Sequence, residues 1–92
     1  MDTKKRILLV EDDVALSAVY KSRLELEGFD TREVSNGEEA LSAALEYKPD
    51  LIVLDAMMPK ISGFDVLAIL RNTPETGNIK IVMLTALSQP KD

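Results

Sequence analysis

Four short apolar runs, spaced along 92 residues, frame this chain. The first is Ile7-Leu8-Leu9-Val10 and the third is Leu51-Ile52-Val53-Leu54. Each is continuous rather than alternating and is bounded by polar or turn residues. That pattern predicts strands buried on both faces of a parallel sheet. The fourth run, Ile79 to Leu84, is nearly all apolar. The second, Phe29 to Val34, is more polar and is expected at a sheet edge. Between the runs the spacing becomes helical. Val14 to Glu27 sets Leu16, Tyr20 and Leu24 four residues apart, with Val19 and Leu26 widening the stripe, and Gly28 follows as a helix stop. Glu38 to Tyr47 offers Ala40, Leu41, Ala44 and Leu45 as its buried face. Phe64 to Arg71 offers Phe64, Leu67, Ala68 and Leu70. Asp13 is placed to cap the first helix, Ser35 with Glu38 the second, and Ser62 with Asp65 the third. The order β-α-β-α-β-α-β predicts an α/β fold with a parallel sheet and right-handed crossovers.

The strand ends carry the chemistry. The first strand runs straight into Glu11-Asp12-Asp13 and the third into Asp55. In open parallel sheets, ligands bind at the carboxyl ends of the strands. If these two strands are neighbours, up to four acids converge, and their repulsion calls for a counter-charge. A hard divalent cation is the most economical one. Composition narrows the choice further. The chain has neither cysteine nor histidine, which excludes disulfides, thiolate chemistry and histidine-based catalysis, and leaves carboxylates, hydroxyls, lysines and backbone. A net charge of −5 argues against direct nucleic-acid or anionic-membrane binding. No apolar run approaches the roughly 18 residues of a membrane span, and Lys4-Lys5-Arg6 leads into only four apolar residues, too few for a signal peptide. One domain in the cytoplasm is expected. No glycine-rich loop follows the first strand, which disfavours nucleotide binding.

Four segments together carry a family resemblance: Val10-Glu11-Asp12-Asp13, Leu54-Asp55-Ala56-Met57-Met58-Pro59, the following Gly63, and Leu84-Thr85-Ala86. In this order, at the ends of these strands, they resemble a response-regulator receiver domain of bacterial two-component signalling, and the likeness spans residues 1–92. The resemblance implies a flavodoxin-like, CheY-like doubly wound sheet. It implies Asp55 as phospho-acceptor, served by a histidine kinase, a phosphotransfer protein or a small phosphodonor. It implies Asp12 as a direct Mg²⁺ ligand, Glu11 as an acid holding the metal through water, and Met57 as a ligand through its backbone carbonyl. Thr85 matches the hydroxyl that senses the phosphoryl group.

Receivers of this family have five strands in the order 2-1-3-4-5 and five helices. This sequence matches the pattern only as far as the fourth strand, so an incomplete sheet of order 2-1-3-4 is expected, cut short by a natural end or by a boundary within a longer protein. The family's lysine at the end of the fifth strand has no counterpart; Lys60 and Lys91 stand in other places. Slow or impaired phosphotransfer is therefore expected, with Mg²⁺ binding weakly. Uncovered apolar side chains on strands three and four point to a homodimer or larger oligomer through strand four. Two other functions compete. One is a non-phosphorylated assembly module that keeps the fold. The other is a metal-dependent phosphohydrolase, which typically needs a second Asp two residues after the first, where this chain has Met57.

Overall fold

The computed structural model describes residues 4–84, and the apolar runs become its strands. These are β1 (Arg6–Val10), β2 (Asp30–Val34), β3 (Leu51–Asp55) and β4 (Lys80–Leu84). They alternate with α1 (Val14–Leu26), α2 (Ala40–Tyr47) and α3 (Gly63–Arg71), and a short 3-10 turn, Gly37–Glu39, leads into α2. All pairs are parallel, in the order β2-β1-β3-β4. The sequence expectation of four strands, three helices and β2 at an edge holds.

The larger core lies between one face of the sheet and α2 with α3. Leu8, Val10, Ile52 and Leu54 meet Ala40, Ala43, Ala44, Tyr47, Val66 and Leu70 there. Ile52 and Leu54 are fully buried, yet Leu51 and Val53 on the other face are only half-buried. Burial of β3 on both faces therefore fails on one side, where the other expectation, uncovered apolar side chains on strands three and four, holds. The reason is coverage: α1 packs on β2 and β1 and leaves the β3–β4 half of that face open. Val82 on β4, 47 % exposed, is part of this uncovered surface.

Helix faces also differ from the periodic reading. In α1 the only fully buried residue is Ser17, whose hydroxyl donates to the Glu33 carboxylate on β2; Leu16, Val19 and Leu26 are exposed. In α2, Ala43 and Tyr47 are buried and Leu45 is exposed. In α3, Val66 and Leu70 are buried while Phe64 and Ala68 face out. Two of the three N-caps stand where the sequence put them. Asp13 accepts from the Leu16 N–H at 3.1 Å, and Ser62 forms a reciprocal capping box with Asp65. Before α2, the residue that caps is Asn36, accepting from the Glu39 N–H at 3.0 Å, not Ser35 with Glu38. Asn36 sits one residue later because a 3-10 turn intervenes.

Candidate functional site

Register brings the acids together. Val10 on β1 is level with Leu54 on β3, so the next residues, Glu11 and Asp55, leave the sheet side by side. Oxygens of Glu11, Asp12 and Asp55 all lie within 4.8 Å of one another. Glu11 is only 4 % exposed, against half-buried Asp12 and Asp55, and its N–H remains tied to the Val34 carbonyl at 3.1 Å. Asp13, expected as a helix cap, takes that role and stays apart from the trio. Its own N–H donates to Glu11 Oε2 at 3.1 Å.

Burial is the main reason that the Glu11 carboxyl is pushed from its ordinary 4.5 up to about 7. The Asp13 N–H works in the opposite direction, and the negative charges of Asp55 and Asp12 add to the rise. Among the described residues no lysine or arginine forms a salt bridge with any of the three; the cations that do pair are Lys21, Arg23 and Arg32, with other acids. The donor set is thus three hard oxygens with unbalanced charge, at the carboxyl ends of two adjacent strands. This suits Mg²⁺, which takes one or two carboxylates and keeps several waters.

The loop after β3 is built around Asp55. The Met57 N–H donates to Asp55 Oδ1 at 3.1 Å, and the Ala56 N–H donates to the Leu84 carbonyl at 3.0 Å. The loop then turns through Lys60 in the left-handed region (φ 69°) and returns so that the Gly63 N–H reaches the Ala56 carbonyl at 3.1 Å. The Gly63 backbone lies so close to β3 that a Cβ there would fall 2.2 Å from the Asp55 carbonyl oxygen. The start of α3 thereby presses on the end of β3. Gly63 was noted in the sequence as part of a motif, but this close approach has no signal in the local pattern.

Met57 is 55 % exposed and Met58 only 8 %, the second packing into the core as expected. Asp55 is level with Leu84, the last residue of β4; Thr85, which follows it in sequence, lies outside the described residues. Beside Glu11 a cleft of about 270 Å³ opens between α1 and β2, lined by Val14, Ser17, Glu33, Ser35 and Glu39. These residues were not anticipated as neighbours of the site. The alternation along β2, which puts Glu33 on the α1 side, is the one hint of it in the sequence. No helix among the described residues is long and apolar enough to cross a membrane.

Comparison with known proteins agrees with this geometry. The response regulator receiver domain pattern matches residues 7–92. The chain is 43 % identical over 93 residues to the DNA-binding response regulator MtrA of Mycobacterium tuberculosis, covering all of this chain and 40 % of that protein. It is 41 % identical over 87 residues to the DNA-binding dual master transcriptional regulator RpaA of Synechocystis sp., covering 95 % of this chain and 36 % of RpaA. It therefore spans well under half the length of these relatives. Among solved structures, the N-terminal domain of a response regulator receiver protein from Methanoculleus marisnigri superposes with a TM-score of 0.88 at 33 % identity, over 98 % of this chain and 72 % of the other. Vibrio cholerae chemotaxis protein CheY4 gives 0.87 at 26 % identity, over 96 % and 73 %. Proteins of this kind are phospho-acceptor modules rather than catalytic enzymes. The chain belongs to the response regulator receiver domains of two-component signalling.

Proposed function

We propose that this chain, residues 1–92, acts as a receiver domain, that it accepts a phosphoryl group on Asp55 from a histidine kinase or a phosphotransfer protein, and that the reaction depends on Mg²⁺ and takes place in the cytoplasm. The observation that carries this reading is the convergence of Glu11, Asp12 and Asp55, with no cation paired to them among the described residues. Asp12 and Asp55 would hold the metal directly, Glu11 through water, and Met57 by its backbone carbonyl. Bound there, Mg²⁺ would offset the charge of the carboxylates and of the incoming phosphoryl oxygens. An Asp55 carboxylate oxygen attacks phosphorus, the bond from phosphorus to the donor breaks, and the electron pair leaves with the donor. The Met57 N–H, donating to Oδ1, holds the carboxylate in one orientation. The Thr85 hydroxyl is assigned to a phosphoryl oxygen of the product.

Incubation with a small acyl-phosphate donor, read by intact mass, tests this. One phosphoryl group per chain is expected with Mg²⁺, none after chelation, and none in Asp55→Asn. Unchanged uptake by Asp55→Asn, or uptake indifferent to Mg²⁺, would end the reading.

A second role, self-association, is favoured by a separate observation. The outer edge of β4 is unpaired among the described residues, and Val82 on its open face is half exposed. The other edge, β2, is blunted by charge: Arg32 pairs with Glu46 at 3.1 Å, and Glu33 lies near Lys21 at 3.8 Å. We propose that copies of the chain meet through β4, as a homodimer or larger oligomer. Sedimentation equilibrium of the wild type should show an assembly, and Val82→Lys should shift it to monomer while Asp55 still takes label. A wild type that stays monomeric at high concentration would dispose of this second role.

A further inference from the structure

The chain contains no cysteine, so its only sulfur atoms are those of its four methionines. Two of these adjoin the acceptor and differ sharply in surroundings. Met57 is 55 % exposed; Met58, the next residue, is 8 % exposed and packs in the main core. Thioether oxidation follows access, so the two neighbours should react at different rates. The exposed one is also bonded to the acceptor: its N–H donates to Asp55 Oδ1 at 3.1 Å. With standard bond lengths, the Met57 Cα then lies within about 4.6 Å of that carboxylate oxygen. We propose that Met57 is a methionine oxidation site through which hydroperoxides slow phosphoryl acceptance at Asp55.

The chemistry balances without further partners. The Met57 sulfur attacks one oxygen of the hydroperoxide, and the O–O bond breaks. Sulfur is oxidised by two electrons to the sulfoxide. The leaving oxygen takes the proton and departs as water, or as an alcohol from an alkyl hydroperoxide. The product exchanges an apolar thioether for a dipole whose negative end is oxygen. The residue that gains this dipole is the one whose N–H holds the Asp55 carboxylate, so a change in how Met57 is solvated and seated acts on that bond and on the readiness of Asp55 to accept. The change is reversible by a methionine sulfoxide reductase, which makes it a switch rather than only damage. The effect on label uptake rests on Asp55 being the acceptor; the selectivity of oxidation does not.

The test exposes the 92-residue chain to limiting hydrogen peroxide and maps the oxygen gained by each methionine by peptide mass. Met57 is expected to oxidise about tenfold faster than Met58. The oxidised chain should take label from an acyl-phosphate donor about threefold more slowly or worse, and reductase treatment should restore the rate. In Met57→Leu, the ratio of treated to untreated uptake should stay near one. Amide resonances of Asp55 and Met57 should move on oxidation while those of β2 hold still. Oxidation of Met58 at an equal or greater rate would overturn the proposal, as would full oxidation of Met57 that leaves those resonances and the uptake rate unchanged. Failure of the untreated chain to label at all would count against Asp55 as acceptor, while mapping and resonances would still judge the oxidation site.

Discussion

Gly63→Ala should destabilise the fold by about 3 kcal/mol or more and disorder the acceptor loop with it. The added methyl would sit 2.2 Å from the Asp55 carbonyl oxygen, 2.8 Å from Ala56 Cα and 2.9 Å from the Asp55 carbonyl carbon. All three are backbone atoms of the central strand and its exit, so no side chain can swing away to make room. The clash can be relieved only by pulling α3 off β3. That movement breaks the 3.1 Å bond from the Gly63 N–H to the Ala56 carbonyl and opens the contact of Val66 and Leu70 with the core. A domain of this size has about 5–14 kcal/mol of total stability, so the loss is a large fraction of it. In thermal unfolding the midpoint should drop by on the order of 15 °C. Alanine at this position would otherwise favour a helix, which makes the sign informative. A midpoint at or above wild type would mean that α3 and β3 do not approach as closely as described. Gly28→Ala gives a useful contrast. It has a left-handed φ of 97° but nothing within 4 Å of its Cβ direction, so the change should cost only about 1 kcal/mol of backbone strain.

How much of this was legible in the sequence depends on whether a feature is local. The strands were legible because Ile7–Val10, Leu51–Leu54 and Ile79–Leu84 are continuous apolar runs, and few other structures bury such runs. The acidic site was legible because Glu11, Asp12 and Asp55 directly follow two of those runs, and parallel strands put their ends on one side. Helix faces were less so. A 3.6-residue period locates an apolar stripe in α1, but it does not say how wide a sheet lies beneath. Here α1 packs on β1 and β2; Tyr20 and Leu24 of the expected stripe are half-buried, but the one fully buried residue is Ser17, held by a hydroxyl-to-Glu33 bond that no hydrophobic pattern contains. The cap of α2 slipped from Ser35 to Asn36 because both residue types cap helices, and only the 3-10 turn decides between them. The crowding at Gly63 and the burial of Glu11 arise between segments eight to over forty residues apart, where no local pattern reaches.

That burial gives the second large effect. Glu11→Gln should make the metal-free protein more stable at pH 8 and leave it little changed below pH 4.5. In the folded chain Glu11 keeps its proton up to about 7, against an ordinary value of 4.5, chiefly because it is buried and then because Asp55 and Asp12 stand beside it. The folded state thus binds the proton more tightly than the unfolded chain does. Between pH 4.5 and 7 unfolding releases that proton, so the contribution of Glu11 to stability is fully present below 4.5 and falls as pH rises through this window. Above 7 the folded protein carries a buried carboxylate at a cost of about 3 kcal/mol. Glutamine removes this charge at every pH and retains an oxygen to accept from the Asp13 N–H. Its midpoint at pH 8, with chelator present, should exceed that of wild type by roughly 10 °C, and the two curves should converge toward pH 4. Mg²⁺ reverses the comparison. A cation among the three acids favours the ionised form, so adding it should stabilise the wild type strongly at pH 8 and weakly at pH 5, where binding must first displace the Glu11 proton. Glu11→Gln should respond less to Mg²⁺ at pH 8. Thermal unfolding of both proteins across pH 4–8, with Mg²⁺ and with chelator, reads all of these terms. Parallel curves for the two proteins would show that Glu11 ionises in the fold as it does in free chain, and that the three acids share too little charge to attract a metal.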